Sequence, residues 1–490
     1  MEVYSIVQSV AKHAERTPDK VCFIDTGSTY TYSQVMELVL QLANYFHTTD
    51  LKKGDRLVAE CSQDGAFLIC DLACEIAGII FVPIEKKAKP ESVREILQET
   101  QAKLLVSKTE YDGIGTSMVT YADLFASAQE SVSDMCDCSF PAPDDVAEIL
   151  YTTGTTGKSK GVVISHRANV ALAENIMYGV EMKQDNCELI ILPLSHSHAL
   201  RSCYANLLNG STVDIIDGIT IPKTIFEHMD NNHVTAMDLS PVAAFGLMKI
   251  AKKKMQETAE QLDYIELGTA FLSEEIKQNM LEILPGVRLY NFYGSTESGR
   301  SCVLNFAKYK DKPGCIGKPS KNANFIIVDE DKHQIDSSPN NTGLLASAGA
   351  MNMKEYYNQP ELTVEVMRDG FIYTNDEAYI DEEGFVYVLG RHDDVINYKG
   401  IKISPDEIEA IIKKSPLVKD CAIVSISDKN LGEIPKLFVV PANEQCFDER
   451  ELFDYMHKNI EHNKMPVQIE RIDEIPRTYN GKIQRRNLIV

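Results

Sequence analysis

The sequence is short of basic residues for its length. Its 490 residues include 49 Lys and Arg against 72 Asp and Glu, which gives a formal net charge of −23 at pH 7. This balance excludes an extended nucleic-acid or anionic-membrane surface, because either would need a clustered basic face. An anionic ligand must therefore be held locally, by a few cations, backbone N–H groups or a metal ion. Tryptophan is absent too, and its absence excludes no class of protein.

Long apolar runs are also missing. The most apolar region, residues 67–83, is interrupted by Asp71 and Glu75, so we expect no membrane-spanning segment. The first twenty residues, MEVYSIVQSVAKHAERTPDK, lack the basic stretch and apolar core of a signal peptide. The sequence thus predicts a cytoplasmic protein.

No Cys-x-x-Cys pair occurs among the 12 cysteines; the nearest pairs are Cys136 with Cys138 and Cys70 with Cys74. A zinc site normally needs two such pairs or added histidines, and a disulfide framework is not expected in a long chain without a secretion signal. We therefore expect reduced, mostly buried thiols.

What is present is an alternation of short apolar runs with stretches of helical length, of which two are 168–182 and 241–259. Strands separated by helices indicate parallel sheets with helical crossovers, so the predicted fold class is α/β. Residues 131–145, rich in Ser, Asp and Pro, are interpreted as a connection between lobes. The predicted buried strands are 104–107, 188–192, 212–216, 234–239, 264–267 and 288–291.

The composition changes near Gly390. Beyond it, Ser404, Pro405 and Glu407 form a helix-start pattern, in which serine caps the helix and proline occupies its first turn. The sequence therefore predicts a large N-terminal domain of parallel or mixed sheets over residues 1–392 and a small, mobile α+β domain over residues 393–490. The other elements predicted for the small domain are strands at 395–398, 421–425, 437–440 and 468–472 and a helix at 448–460.

The strongest chemical signal is the segment YTTGTTGKSKGVVISH, residues 151–166. Its first eleven residues hold three glycines, four threonines and two lysines. Glycines let backbone N–H groups converge on an anion, and hydroxyls and lysines add donors and charge, which is the chemistry of a phosphate-binding loop. A Walker A loop does not fit, because it needs glycine at Thr152 and a helix where Val162–Ile164 predict a strand. A flexible hairpin is the plainer alternative, although hairpin turns rarely combine so many hydroxyls with two lysines.

This loop resembles that of the adenylate-forming superfamily, which contains acyl-CoA synthetases, peptide-synthetase adenylation domains and firefly luciferase. Further segments in the same order are similar to the family's motifs, so the resemblance spans Tyr151 to Lys482, about two-thirds of the chain. One departure is Asn375, where the family has glycine. The segments are GTAFL (268–272), YGSTE (293–297), YTND (373–376) with DEEG (381–384), GRHDD (390–394) leading into ISPDEIE (403–409), and PRTYNGK (476–482).

The resemblance implies that ATP activates a carboxylic acid as an acyl-adenylate, that pyrophosphate leaves, and that a thiol then takes the acyl group. Asp376 would accept from the ribose hydroxyls, Tyr293 would lie against the adenine, and Arg391 would reach ribose or phosphate oxygens. The full set implied for ATP is Thr152, Thr153, Gly154, Thr155, Thr156, Gly157, Lys158, Lys160, Gly268, Thr269, Ala270, Asn291, Phe292, Tyr293, Gly294, Ser295, Asp376 and Arg391.

Four residues receive catalytic roles by the same resemblance. Glu297 would bind Mg²⁺, because a hard cation that bridges phosphates prefers carboxylate oxygen. Thr296 would donate to the α-phosphate. Lys482 would place its charge at the α-phosphate and the substrate carboxylate. His196 would gate the acyl pocket.

The segment LPLSHSHALR (192–201) resembles the part of the family that borders this pocket. Its two histidines, His196 and His198, are not a convincing zinc pair without a third ligand. Ser197 stands where amino-acid-activating members carry an aspartate, which disfavours an α-amino acid. Arg201 either receives a second carboxylate or hydroxyl of the substrate or pairs with an acidic neighbour.

The resemblance also places a hinge at Asp393, about which the small domain rotates, and a thiol tunnel at Gly400. Arg485 and Arg486 either meet an anionic thiol carrier or are solubilising charges. The leading activity is that of an acid–coenzyme A ligase. The alternatives are a ligase that loads a carrier-protein phosphopantetheine arm, an amino-acid adenylating enzyme and, least favoured, a non-catalytic adenylate-binding protein. The identity of the acid, the oligomeric state and the pathway stay open.

Overall fold

The computed structural model describes residues 3–130, 139–153, 159–218, 222–268, 270–392, 394–398, 401–428, 432–477 and 481–489. Within these ranges the chain forms thirteen α-helices and 26 strands, numbered here in chain order. Helices α1 to α13 are Ile6–Arg16, Tyr32–Thr48, Gly65–Ala77, Pro90–Thr100, Tyr121–Glu130, His166–Gly179, Ser197–Asn209, Pro222–Asn232, Pro241–Glu257, Glu274–Ile283, Pro360–Val366, Pro405–Ile412 and Glu449–Asn459.

The strands lie in three sheets. Strands β1 to β26 are Val21–Ile24, Thr29–Thr31, Arg56–Glu60, Ile80–Ile84, Leu104–Val106, Ser117–Val119, Val146–Thr153, Ser159–Ser165, Cys187–Ile190, Thr212–Ile215, Ala236–Leu239, Tyr264–Leu267, Arg288–Ser295, Gly299–Asn305, Cys315–Pro319, Ala323–Val328, Gly343–Gly349, Glu355–Tyr356, Met367–Arg368, Phe371–Ile380, Val386–Arg391, Ile396–Tyr398, Ile401–Ile403, Val418–Asp428, Gly432–Pro441 and Gln468–Arg471.

The largest sheet has fourteen strands among the described residues, in the order β16-β17-β20-β21-β15-β14-β13-β12-β11-β9-β10-β1-β2, with β19 paired to β20. Its half from β13 to β1 is parallel, and it becomes antiparallel where β13 turns back into β14. In a parallel sheet the carboxyl ends of the strands share one edge, where ligands usually bind. The ends of β11 and β12 therefore bring Leu239 and Leu267 to that edge, in register with Asn291 of β13.

The second sheet, of seven described strands, has the order β18-β8-β7-β4-β3-β5-β6. Helices α1, α2, α3, α6 and α7 contribute buried side chains to a core cluster that also contains residues of both sheets. Of these helices, α7 is buried along almost its whole length. The two sheets are thus joined through one layer of helices rather than through a linker.

The third sheet, β23-β22-β25-β24 with β26 beside β25, belongs to the C-terminal part of the chain and has its own core. That core includes Ile396, Ile408, Leu437 and Leu452. A contact with the large part joins Lys414 Nζ to Glu275 Oε2 on α10 at 3.5 Å. The α/β class and the presence of a small second unit are confirmed, whereas the predicted boundary at 392/393 stays a prediction.

The predicted core strands agree closely with the structure. β12 has the predicted bounds, Tyr264–Leu267, and β5, β9, β10 and β11 differ from their predictions by one to two residues at an end. Strand β13 is longer than predicted because it continues to Ser295 as half of a hairpin. In the small domain, the predicted helices correspond to α12 and α13.

The predicted start of α12 is confirmed, with Ser404 as its N-cap and Pro405 as its first residue, although the serine side chain accepts no capping hydrogen bond. One local prediction was wrong. Residues 139–145 lead into β7, which lies in the same sheet as β6 before them, so the 131–145 segment does not connect two lobes. Part of that segment, 131–138, lies outside the described residues.

The ten cysteines that the structure describes are free thiols, and Cys446 alone among these ten is exposed. The expectation of reduced, mostly buried thiols is confirmed for them, while Cys136 and Cys138 lie outside the described ranges. None of the helices formed by the described residues combines the length and apolar character that a membrane crossing needs.

Candidate active site

The predicted phosphate loop lies at the end of an antiparallel pair. Strands β7 and β8 pair in register up to Thr152 with Lys160 and Thr153 with Ser159. The strand predicted after the loop, Val162–Ile164, is confirmed within β8. Thr152 and Lys160 are half-buried. The five loop residues predicted to cradle phosphates lie outside the described residues: Gly154, Thr155, Thr156, Gly157 and Lys158.

A second hairpin carries Thr296 and Glu297 at its tip. Strands β13 and β14 pair up to Ser295 with Gly299, so the two predicted catalytic residues lie in the turn between them. Gly294 is required by packing, since a Cβ there would lie 1.9 Å from the Gly299 carbonyl oxygen. The Ser298 backbone N–H donates to Ser295 Oγ at 3.0 Å and closes the turn. This turn projects a hydroxyl and a carboxylate from a tightly fixed backbone.

Asp376, Tyr293 and Arg391 meet beside this hairpin. The Tyr293 hydroxyl donates to Asp376 Oδ2, and Arg391 Nη1 lies 3.4 Å from Asp376 Oδ1. Asp376 and Arg391 are opposite each other on β20 and β21. Burial and the neighbouring carboxylate raise the pKa of Tyr293 above its ordinary value, so its hydroxyl is a donor at neutral pH. The structure thus brings together three residues predicted to contact the nucleoside.

Glu297 and Lys160 are linked through Tyr356, which was not predicted. The Tyr356 hydroxyl donates to Glu297 Oε1 at 2.7 Å, and Lys160 Nζ lies 5.5 Å from the Tyr356 ring centroid. Tyr356 belongs to β18, which pairs with β8 next to the phosphate loop. Its contact with Glu297 spans 59 residues of chain, so no local pattern indicated it.

The predicted acid-binding residues lie at the start of α7. His196 is the N-cap residue and Ser197 the first helical residue. His196 Nε2 lies 3.8 Å from Glu85 Oε1, and burial lowers the pKa of His196 although Glu85 opposes this. His198, two residues on, is committed to Asp238 through Nε2.

Phe292 lies at the centre of this region. Its ring meets His198 edge-on at 4.7 Å between centroids, and the Arg300 guanidinium carbon lies 3.8 Å from its centroid. A Cβ on Gly268 would lie 2.0 Å from Phe292 Cζ, so the ring fills the space above that glycine. Asn291 is buried beside it, whereas Ala270 is exposed, and Thr269 lies outside the described residues.

A buried ionic network lies beneath Phe292. Arg300 pairs with Glu266 and with Asp238, whose Oδ2 is 3.3 Å from Nη2. Burial would raise the pKa of Asp238, but His198 and Arg300 outweigh it and lower that pKa. For Glu266, burial prevails over Arg300 and raises the pKa to about 7. Asp238 and Glu266 are acidic residues inside buried strands, a sequence signal that a buried cation must accompany them.

Arg201 has the acidic neighbour that was one of its two predicted partners. It is 1% exposed and forms an ion pair with Glu148 on β7. A buried charge of this kind stabilises its partner, and removing either would leave the other uncompensated. The prediction that Arg201 contacts the substrate is therefore corrected: its guanidinium pairs with Glu148 in the interior.

Lys482 is exposed, in a segment closed by a bridge between Arg477 and Ile483. Arg477 Nη2 donates to Asp420 Oδ2 at 2.8 Å on one side of it. Arg485 on the other side is buried and pairs with Glu409 and Asp406. Arg485 was predicted either to meet an anionic thiol carrier or to be a solubilising charge, and both predictions were wrong. Its ion pairs instead anchor the chain segment that carries Lys482. The predicted hinge Asp393 and tunnel residue Gly400 lie outside the described residues.

The donor set at Glu297 fits magnesium that arrives with its nucleotide. Within the described residues, no group of three or more His, Cys, Asp or Glu side chains could hold a metal ion alone. Mg²⁺ is usually bound through one or two carboxylates plus substrate phosphates rather than by an all-protein cage. A single oriented carboxylate next to the phosphate-loop strand satisfies that requirement.

Comparison with known families assigns both parts of the chain. A family model described as AMP-binding enzyme matches residues 10–357, and one described as AMP-binding enzyme C-terminal domain matches residues 407–482. The 4-coumarate–CoA ligase 1 of Arabidopsis thaliana is 26% identical and aligns with 99% of this chain and 91% of its own. Feruloyl-CoA synthase of an Amycolatopsis species is 27% identical, with 96% of each chain aligned.

Solved structures share the fold over the full length. MatB from Rhodopseudomonas palustris with bound ATP superimposes with a TM-score of 0.87 at 23% identity, covering 98% of each chain. O-succinylbenzoate coenzyme A synthetase from Bacillus subtilis, in complex with ATP and magnesium ion, also gives 0.87 at 23% identity, covering 98% of this chain and 99% of that one.

Proposed function

Because the chain belongs to the AMP-binding enzyme family, we propose that it activates a carboxylic acid with ATP and transfers the acyl group to coenzyme A. It is an enzyme of the AMP-forming acid–thiol ligase type. The observation that carries the proposal is a row of direct contacts. Asp376 is hydrogen-bonded to Tyr293, and the hairpin that carries Tyr293 also carries Glu297 at its tip. Glu297 is hydrogen-bonded to Tyr356, whose ring lies next to Lys160.

The nucleoside end of this row suits ribose and adenine. A carboxylate such as that of Asp376 can accept from both vicinal hydroxyls of a ribose, and the contact with Arg391 orients it. Tyr293 offers the adenine an aromatic face while its hydroxyl fixes Asp376. These contacts position the nucleoside, and so the α-phosphate, relative to the hairpin tip.

The phosphate end has to stabilise charge at phosphorus while two anions approach each other. Preorganised cations and donors are the general solution, and they outweigh any single acid or base. Lys160 supplies a cation and Thr296 a hydroxyl donor, and Glu297 would hold Mg²⁺, which neutralises phosphate charge when bound. Lys482 would add the charge that the developing transition state needs, from a segment anchored on both sides.

The acid end supports a substrate other than an α-amino acid. Ser197 offers no carboxylate to a substrate ammonium, and the nearby Asp238 is already paired with His198 and Arg300. Coenzyme A is preferred as acceptor because the relatives named above are CoA ligases or synthases. A carrier-protein arm is the alternative that the experiment below separates.

The test is pyrophosphate release from ATP with a panel of aryl, short-chain, medium-chain and amino acids, each with and without coenzyme A. We expect release with one class of acid, increased by coenzyme A, together with an acyl-CoA product. Pyrophosphate release that does not change when coenzyme A is added would indicate a carrier protein as the thiol acceptor. No release with any acid would overturn the proposal.

Lys482→Ala separates the two half-reactions. We expect adenylation to fall by at least 100-fold, because the cation at the α-phosphate is lost. Thioester formation from a pre-made acyl-adenylate should stay within a few-fold of wild type. The matched control is Lys458→Ala, an exposed lysine on α13 of the same domain. Equal loss in both half-reactions would contradict the role assigned to Lys482.

A further inference from the structure

A short segment, residues 353–357, joins the two hairpins of the site and is called the brace here. At its start the Met353 backbone N–H donates to the Glu297 carbonyl at 2.8 Å. At its end the Tyr357 backbone N–H donates to the Gly161 carbonyl at 2.7 Å. The brace therefore bonds to the residue predicted to bind the metal and to the strand that leaves the phosphate loop. It fixes the separation of these two parts through the main chain.

Tyr356 makes the same connection with its side chain. It is 5% exposed, its hydroxyl donates to Glu297 Oε1, and Lys160 lies over its ring. A hydrogen bond to one oxygen fixes the carboxylate plane, and the second oxygen of such a group can face a cation.

We propose that Tyr356 is a positioning residue that holds the Glu297 carboxylate in the orientation needed to bind Mg²⁺ with ATP. The inference rests on the proposed function, in which Glu297 is the magnesium ligand. Tyr356 itself touches neither metal nor nucleotide in this scheme. It acts through Glu297 and fixes the position of that carboxylate relative to the phosphate-loop strand.

The hydrogen bond from Tyr356 to Glu297 could serve only the stability of the fold, or it could position the carboxylate, and the two roles predict different effects of losing the hydroxyl. Loss of a structural hydroxyl lowers the stability of the fold and leaves the folded fraction with normal metal affinity. Loss of a positioning hydroxyl lowers metal affinity in fully folded protein, by the 10- to 100-fold typical of outer-shell partners. Metal affinity therefore separates the two roles, whereas activity alone does not.

The experiment compares Tyr356→Phe with wild type. Mn²⁺ binding in the presence of a non-hydrolysable ATP analogue is titrated by electron paramagnetic resonance, with circular dichroism to confirm folding. We expect Tyr356→Phe to weaken Mn²⁺ binding 10- to 100-fold, and pyrophosphate release to recover at high Mg²⁺ concentration. The matched control is Tyr357→Phe, the same change one residue along the brace, which should bind Mn²⁺ as wild type does.

A double-mutant comparison tests whether Tyr356 acts through Glu297. Once Glu297→Gln has removed the charge, adding Tyr356→Phe should weaken Mn²⁺ binding by less than twofold more. The proposal is overturned by Tyr356→Phe with wild-type affinity, by Glu297→Gln with wild-type affinity, or by fully independent losses. If wild type binds Mn²⁺ with the analogue but activates no acid, the proposed function fails while the positioning role still stands or falls on these affinities.

Discussion

Phe292 is the side chain whose size we expect to limit the acids that the site accepts. It was predicted from the resemblance as part of the nucleotide set, and its ring also contacts His198 and Arg300, close to the start of α7 that carries His196 and Ser197. Arg300 and His198 are tied to the network below, so they keep the ring in place. A rigid ring at this point removes volume that a bulky acyl group would need.

Truncation of this ring should therefore widen the range of acids. For Phe292→Ala we expect kcat/KM for bulky aryl acids to rise at least tenfold relative to short-chain acids, because pocket contacts of this size change discrimination by such factors. Pyrophosphate release across the acid panel measures this ratio. Phe453→Ala, an exposed phenylalanine of α13, serves as control. An unchanged ratio would show that the ring does not border the acid.

Residues within motifs could be predicted from the sequence, whereas their partners could not. The composition of 151–161 indicates phosphate chemistry locally, and the resemblance to the family identifies 293–297. Tyr356 has no such pattern, since its role depends on β18 lying beside β8. Arg201 shows the same limit in reverse, because its two predicted roles could be distinguished only by the position of Glu148.

At the scale of elements, helix α7 makes buried polar contacts on two opposite faces. Ser202 and Asn206, four residues apart on one face, follow His198 toward the network at Asp238 and Glu188. The opposite face turns Tyr204 toward Asp71 on α3, with 2.6 Å between hydroxyl and carboxylate. One helix thus joins the acid end of the site to the interior behind β7.

The Asp71 carboxyl predicts a pH dependence of stability. Burial and nearby Glu148 raise its pKa to about 8. Since the folded state keeps a proton that the unfolded chain loses near pH 4, this group's contribution to stability falls as the pH rises from about 4 to about 8.

Asp71→Asn should remove this pH-dependent contribution to stability, because asparagine has the shape of aspartate but does not titrate. Relative to wild type, we expect the free energy of unfolding of the variant to gain as much as about 1.4 kcal/mol per pH unit between pH 6 and 8. Denaturant unfolding at pH 6, 7 and 8 measures the difference, with Asp112→Asn as an exposed control. A constant difference across this range would mean that Asp71 is ionised in the folded protein.

Elements of the parallel half were predictable because each is a short apolar run between helices. The antiparallel half was not, and β20 (Phe371–Ile380) shows why. Its sequence FIYTNDEAYI mixes polar and apolar residues, because Ile372 and Ala378 are buried in the core while Asp376 contacts Tyr293 and Arg391. Sequence patterns report burial, so a strand used for binding loses the pattern that would reveal it.

At the scale of the whole molecule, one contact between the small domain and the large one, among the residues that the structure describes, is the ion pair of Lys414 and Glu275. Both side chains are about half exposed, so the pair contributes little to stability, roughly 0–1 kcal/mol. A weak contact of this kind suits a domain that changes orientation between half-reactions, as the resemblance implies.

A reversible cross-link at this contact tests the rotation. Cysteines replace Glu275 and Lys414, and a short cleavable bismaleimide joins the pair. Cys446, which is exposed, and Cys136 and Cys138, which lie outside the described residues, are changed to serine. We expect the linked enzyme to retain one half-reaction and to lose overall turnover by more than tenfold, with recovery on cleavage. The uncleaved enzyme is assayed for ATP–pyrophosphate exchange and for thioester formation from acyl-adenylate. Full turnover while linked would contradict the rotation.

The burial of α7 also constrains how this lineage can acquire new substrates. Its start, with His196 and Ser197, is half-buried, so we expect an exchange there to change the acid that is accepted while disturbing the interior least. Further along, a substitution at Arg201 or Ser202 would disturb a buried charge network and be removed by selection before any new activity could spread. Evolution toward other acids should therefore run through the first turn and through Phe292, while the body of the helix is inherited unchanged.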